Sequence, residues 1–196
     1  MTELFKKRFL TNKDLADKTF AQLSDEQMFW QPNEESNSVA IIAKHLAGNL
    51  RSRWTNFLTE DGEKPWRHRD SEFENHYKTK AEVMEFWEKG CYCFLDAIGQ
   101  IKDDMLDTVI YIRKEPHTIA DALLRNTTHF SYHVGQMVTL AKIQKNKYWQ
   151  TLSVPRNQSE EYNAEMIRKL SSSENQQNSS PVYFAESSEV RRKFKV

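Results

Sequence analysis

His129 and His133 stand four residues apart in Thr128–Gln136. They lie on a segment whose apolar residues recur at helical spacing, so both rings leave one face of the same helix. Two imidazoles at that spacing are close enough to share one metal ion, as in helical zinc signatures. A third histidine, His45, falls mid-way along another helical segment, beside Ile42 and Leu46. Three neutral imidazoles suit zinc, nickel, copper or iron. They leave a tetrahedral ion one open position, which separates a catalytic centre from a closed structural one. A histidine pair four apart also arises by chance on helices, and periodicity does not show that His45 reaches the other two. The remaining histidines, His68, His76 and His117, sit beside charged or turn residues and read as exposed and without a role.

These side chains need long helices to position them, and the prolines mark where helices stop. Proline lacks the amide donor and clashes with the preceding turn. The stretches between Pro32, Pro65, Pro116 and Pro155 are each long enough for a helix. The first helix is expected from about Glu3 to Leu23, with Phe5, Phe9, Ala16, Phe20 and Leu23 at helical spacing. Ser24–Gln27 then leads into Phe29-Trp30-Gln31-Pro32, a loop or short helical turn. The second helix starts after Ser36-Asn37-Ser38, residues suited to an N-cap. Its apolar face of Val39, Ile42, Leu46, Leu50, Trp54 and Phe57 carries it to about Thr59. A polar, aromatic loop spans Trp66 to Lys78. The third helix opens at Thr79, where Glu82 completes a capping box. Its apolar side is Val83, Phe86, Trp87, Phe94, Ala97 and Ile101, and Asp103-Asp104 ends it. Val109–Ile112 is β-branched and aromatic enough for a short extended piece. The fourth helix runs from near Thr118 to Gln144. Ile119, Leu123, Phe130, Met137 and Leu140 share a stripe with Asn126 and His133, in alternating steps of four and three. Four amphipathic segments without strand alternation predict an all-α fold, a four-helix bundle.

Composition narrows the function classes. Lys plus Arg and Asp plus Glu both total 28, giving a formal net charge of zero. No global field draws the chain to nucleic acid or to an anionic membrane. No apolar stretch approaches the roughly 20 residues of a membrane span, and the charged N-terminus is no secretory signal. Cys91 and Cys93, two apart on a helix, are unsuited to a disulfide and read as buried thiols of a reducing cytoplasm. No Ser-His-Asp order, phosphate loop or dinucleotide fingerprint is present. Beyond about Lys169 the chain turns to Ser, Asn and Gln, a composition expected to be disordered. The domain is therefore expected over residues 1–166, with a disordered tail over 167–196.

The segment Thr128-His129-Phe130-Ser131-Tyr132-His133-Val134-Gly135-Gln136 resembles the H-x-x-x-H-x-G-Q signature on the last bundle helix of the DinB-like superfamily, which includes the YfiT-like metalloproteins. Ser36–Ser38 through Lys44–Asn49 is similar to the second-helix motif that supplies that superfamily's first histidine. Trp30-Gln31-Pro32 resembles its W-x-P entry. Trp149–Pro155 and Ser159–Asn163 look like the end of one uncharacterised bacterial branch. The resemblance spans about residues 1–166. It implies a DinB-like four-helix bundle, a metal centre of His45, His129 and His133 holding one divalent ion (zinc or nickel), and a homodimer. It further implies metal-assisted transfer or hydrolysis on a small-molecule substrate, with a low-molecular-weight thiol as one co-substrate class. Asn49, four residues after His45, and Gln136, three after His133, are candidates to orient a ligand or bound water. Each reads equally as a polar side chain satisfied within the bundle. Arg51 and Arg53 could hold an anion, although exposed helix arginines are the simpler reading. Trp66 either caps the pocket or packs on the bundle.

Overall fold

The computed structural model describes residues 1–174, in two compact units, Met1–Gln150 and one beginning at Thr151. The first holds α1 (Thr2–Ala21), a short α2 (Asp25–Phe29), α3 (Val39–Trp54), α4 (Lys80–Gln100), a hairpin of β1 (Val109–Ile112) and β2 (Glu115–Thr118), and α5 (Ile119–Lys145). The second holds α6 (Ser159–Glu174). The expected boundary between 166 and 167 falls inside α6. Residues 175–196, most of the expected tail, lie outside the described residues.

The caps form where the side-chain chemistry places them. Ser38 accepts from the Ile41 amide at 3.1 Å and Thr118 from that of Asp121 at 3.1 Å. Thr79 and Glu82 bond reciprocally, completing the capping box. A cap of this kind contributes about 1 kcal/mol to its helix.

The four long helices form an all-α bundle in which α3 packs on α4 and α5, and α1 packs on α5 and α4. Its centre is aromatic. Phe9 lies 4.4 Å from Phe94 and 4.7 Å from Phe130 between ring centroids. Trp87 stacks on Phe130 and takes Phe20 edge-on. At Gly90 a Cβ would fall 2.6 Å from the Ala47 Cα, so α3 and α4 approach backbone to backbone there. A side chain at that position would force the helices apart.

α3 departs from expectation twice. It ends at Trp54 rather than Thr59, because Thr55 is extended and Asn56 takes a left-handed φ of 48°, which Asn tolerates. Phe57 still returns to the core against Trp54. The helix is also buried nearly all round rather than along one stripe. The polar loop 61–78 folds over its outer side, which encloses Lys44, His45, Ser52 and Arg53.

The hairpin is a second difference. Only β1 carries strand propensity. β2 reads Glu-Pro-His-Thr and forms because a two-residue turn returns the chain antiparallel, pairing Ile112 with Glu115 and Val109 with Thr118. Both turn residues, Arg113 and Lys114, have positive φ (55° and 64°), the backbone such turns require. Their amides donate to the Asp61 carboxylate at 2.8 and 2.7 Å. Ile110 and Ile112 face inward and are buried.

Candidate metal centre

α3 brings His45 and α5 brings His129 and His133 to one place. The three rings offer one nitrogen each, all within 4.8 Å of one another. Nε2 of His45 and Nε2 of His129 are 3.2 Å apart. That is close to the edge of a tetrahedron with metal–nitrogen bonds of 2.0–2.1 Å, about 3.3 Å. The ring centroids are 4.7 to 5.2 Å apart, with steep interplanar angles. Three rings edge to face around one point converge nitrogens rather than stack faces.

The partners of the other ring nitrogens fix the tautomers. His45 Nδ1 lies 3.0 Å from Glu72 Oε2. A carboxylate only accepts, so Nδ1 carries the proton and Nε2 presents its lone pair to the cluster. Nδ1 of His133 lies 2.7 Å from Gln136 Oε1, which frees its Nε2 in the same way. A carboxylate behind a ligating histidine is the usual second element of a metal site.

Glu72 is itself held on every side. Arg67 grips it in a bidentate pair, Nε to Oε1 and Nη2 to Oε2, both at 2.8 Å. Burial alone would raise its carboxyl, but the bonds from His45 and Arg67 outweigh that and hold its pKa below the usual value. Lys44, one residue before His45, donates to the backbone carbonyls of Ser71 and Glu74 and so anchors the 3-10 turn Asp70–Phe73 that carries Glu72. Gly48 lies under the same carboxylate. A Cβ there would stand 2.9 Å from Glu72 Cδ and closer still to Oε1.

Burial and neighbouring positive charge keep the α5 rings neutral. Desolvation, followed by His133 and His45, pushes His129 down to about 3. Desolvation pushes His133 down to about 4, against the opposing pull of its bond to Gln136. At neutral pH both are in the form that ligates a metal.

The cluster forms one wall of a cavity of about 460 Å³. Ile110, Ile112 and Trp54 give it an apolar side, and Arg53, Arg67 and Asn126 a polar one. No serine or cysteine lines it.

Of the sequence candidates, His45, His129 and His133 come together and Gln136 backs one of them. Asn49 lines the cavity. Arg53 is buried rather than exposed, because its guanidinium turns under the loop to the Gly62 carbonyl and Glu63. Arg51 lies over the Trp66 and Phe86 rings, so Trp66 packs on the bundle and is absent from the cavity lining. His68 and His76 are exposed. His117 is not: it lies on β2, its side chain 14% exposed, with Nδ1 2.6 Å from Asp121. Cys91 is buried and Cys93 half-buried, and both are free. Glu72 and Arg67 were missed, since a loop has no periodicity to mark an inward residue. The pairing of an Arg with a Glu five positions later, between two helices, was the one signal available.

Residues 2–158 match the family described as "Protein of unknown function (DUF1572)". The chain belongs to this family. Among curated proteins none matches it. The crystal structure of a conserved protein from Enterococcus faecalis aligns with a TM-score of 0.57 at 19% identity, covering 73% of this chain and 96% of that one. At that identity the likeness is one of fold. Among the described residues no helix is long and apolar enough to cross a membrane.

Proposed function

We propose that this DUF1572 protein is a DinB-like metalloprotein that holds one divalent ion, zinc or nickel, on His45, His129 and His133. In this reading it uses the ion as a metal-dependent transferase or hydrolase on a small molecule. The observation that carries the reading is the convergence of three imidazoles on the wall of a cavity, with Glu72 buried behind one of them. A closed structural site would have a fourth protein ligand, and among the described residues only these three make up the cluster. When bound, such an ion supplies Lewis acidity and favours the deprotonated form of a water or a thiol.

The chain's own residues do the rest. Glu72 and Gln136 hold two rings in the ligating tautomer. Ile110, Ile112 and Trp54 exclude water from one side. The hydroxyls of the cavity lining are Thr128, whose Oγ1 is turned to the Leu124 and Arg125 carbonyls, and Tyr132, whose pKa burial raises, so this reading takes the nucleophile from outside the chain, as water or a low-molecular-weight thiol. A homodimer belongs to the same proposal, and sedimentation velocity tests it.

A second reading rests on the ligands' distribution. They come from two helices 84 positions apart, so an ion would also staple α3 to α5. Elemental analysis of tag-free protein, beside the triple variant His45→Ala, His129→Ala, His133→Ala, tests both readings. About one ion per chain, lost in the variant, supports the centre. Turnover of thiol-transfer or ester substrates that stops on chelation supports the enzyme. A large loss of melting temperature on chelation, with no ligand bound in the cavity, favours the staple. No ion in the wild type, even after incubation with zinc and nickel, overturns both.

A further inference from the structure

The cavity beside the histidines is lined by Arg53, Arg67, Arg69, Arg113 and Arg125 and by no acidic residue. The chain has eleven arginines and seventeen lysines, yet five arginines and no lysine come to this one cavity. The protein as a whole is neutral, so the concentration is local. Two carboxylates offset part of it from behind. Glu63 takes Arg53 and Arg113, and Glu72 takes Arg67. Arg69 lies over the Phe73 ring, and Arg125 pairs with no carboxylate among the described residues. A low-dielectric pocket with surplus positive charge concentrates anions. Guanidinium, with its planar fork of donors, is the group that matches carboxylate and phosphate.

Two buried polar atoms make the same point independently of net charge. Arg67 is 9% exposed, and its Nη1 has no hydrogen-bond partner, although Nε and Nη2 are both used on Glu72. Asn126 is 6% exposed, and its Nδ2 has none either. The orientation of Asn126 is set by Trp54, whose indole Nε1 only donates and takes Asn126 Oδ1 at 3.1 Å. The amide nitrogen therefore points elsewhere, as a donor. A buried donor left unpaired costs about 1–3 kcal/mol, and natural proteins leave few of them. Of the three buried side-chain atoms without a partner among the described residues, the third, His117 Nε2, lies outside this cavity; these two are donors of residues that line it, and only an acceptor satisfies them.

We propose that the cavity binds a small acidic molecule whose carboxylate or phosphate group is taken by Arg67, Asn126 and Arg125, placing the rest of the molecule against the three histidines. Arg67 and Asn126 form the buried part of this site. Arg69, Arg113 and Arg125, all exposed, stand at its opening. Arg67 has two tasks, holding Glu72 with one edge and the anion with the remaining nitrogen. The substrate class of the proposed metal centre is then an acid. The proposal rests on the metal reading for the role of the histidines and not for the anion itself.

The test is calorimetric titration of the full chain at pH 7.5 and constant ionic strength, metal-loaded and chelator-stripped, with inorganic phosphate and with succinate. At least one is expected to bind saturably at one site per chain in both forms, and which one binds distinguishes phosphate from carboxylate ligands. Asn126→Asp exchanges the orphaned donor for a like charge while keeping an oxygen for Trp54. It is expected to weaken binding at least tenfold with metal content unchanged. Arg125→Gln, on an exposed residue, is expected to weaken it about threefold and keeps the test decisive if the first variant does not fold. Saturable binding lost in these variants by a wild type that takes up no metal would sink the metal reading and leave this one standing. The proposal is overturned if neither anion binds. It is overturned equally if binding needs the ion and is indifferent to both variants, since the anion is then simply a ligand of the metal.

Discussion

α3 borders two interiors of opposite character. Toward α4 its neighbours are apolar, Trp54 meeting Phe94 and Ala47 meeting Gly90. Toward loop 61–78 and the cavity it presents Lys44, His45 and Arg53, each buried and each tied to a polar partner. The first interior is held by packing, where a deletion leaves a hole and costs stability. The second is held by directed bonds whose purpose is orientation, and its own contribution to stability is small because desolvation offsets the charge pairs. Side chains a few residues apart on one helix thus serve different ends, and substitutions separate them.

The largest effect is expected in the packed interior. Trp87 is fully buried between Phe20 and Phe130. Trp87→Ala is expected to cost about 3–5 kcal/mol in urea unfolding, with metal stoichiometry of the folded fraction unchanged. A change in stoichiometry would show that the two interiors are coupled.

In the second interior Glu72→Gln is expected to lower metal affinity about 10–100-fold, read by competition with a chromophoric chelator, while the helical signal persists. Gly48→Ala forces the same carboxylate aside and is expected to lower affinity about tenfold without touching a ligand. Equal affinities for wild type and both variants would break the assignment of Glu72.

The smallest effect is the pH dependence of the metal-free chain. His129 and His133 are held near 3 and 4 in the folded state, below the 6.5 of a free imidazole. Between pH 6.5 and about 4 the unfolded chain binds protons that the folded chain refuses, so stability falls as pH falls through that window. Melting curves of chelated protein at pH 7, 6, 5 and 4 are expected to show the decline, and the double variant His129→Gln, His133→Gln a shallower one. Identical slopes would mean that the rings titrate normally.

The legibility of the sequence followed the same division. Helix faces, the Thr79 capping box and the α5 stripe were readable because apolar periodicity and caps are local properties. The four-residue spacing put His129 and His133 on one face for the same reason. That His45 reaches them is a property of how α3 and α5 pack, and spacing alone is silent on it. Glu72, Arg67 and the burial of Arg53 depend on where loop 61–78 folds, and β2 depends on the turn before it. The end of α3 at Trp54 depends on Asn56 adopting a left-handed conformation, a choice made by the loop's bonds rather than by Asn itself.

Asp61 gives that loop a consequence in motion. Its carboxylate receives the Arg113 and Lys114 amides and also the amide of Glu63 at 2.7 Å. The Gly62 amide reaches the Tyr111 carbonyl at 2.8 Å. The start of the loop and the tip of the hairpin are therefore latched together, although about fifty residues of chain separate them. Parting the loop from the hairpin breaks the Arg113, Lys114 and Gly62 bonds together, while the Glu63 bond stays within the loop. The Arg113, Lys114 and Gly62 amides should exchange with solvent as one cooperative group, slowly and at a common rate, and Asp61→Ala should speed their exchange together.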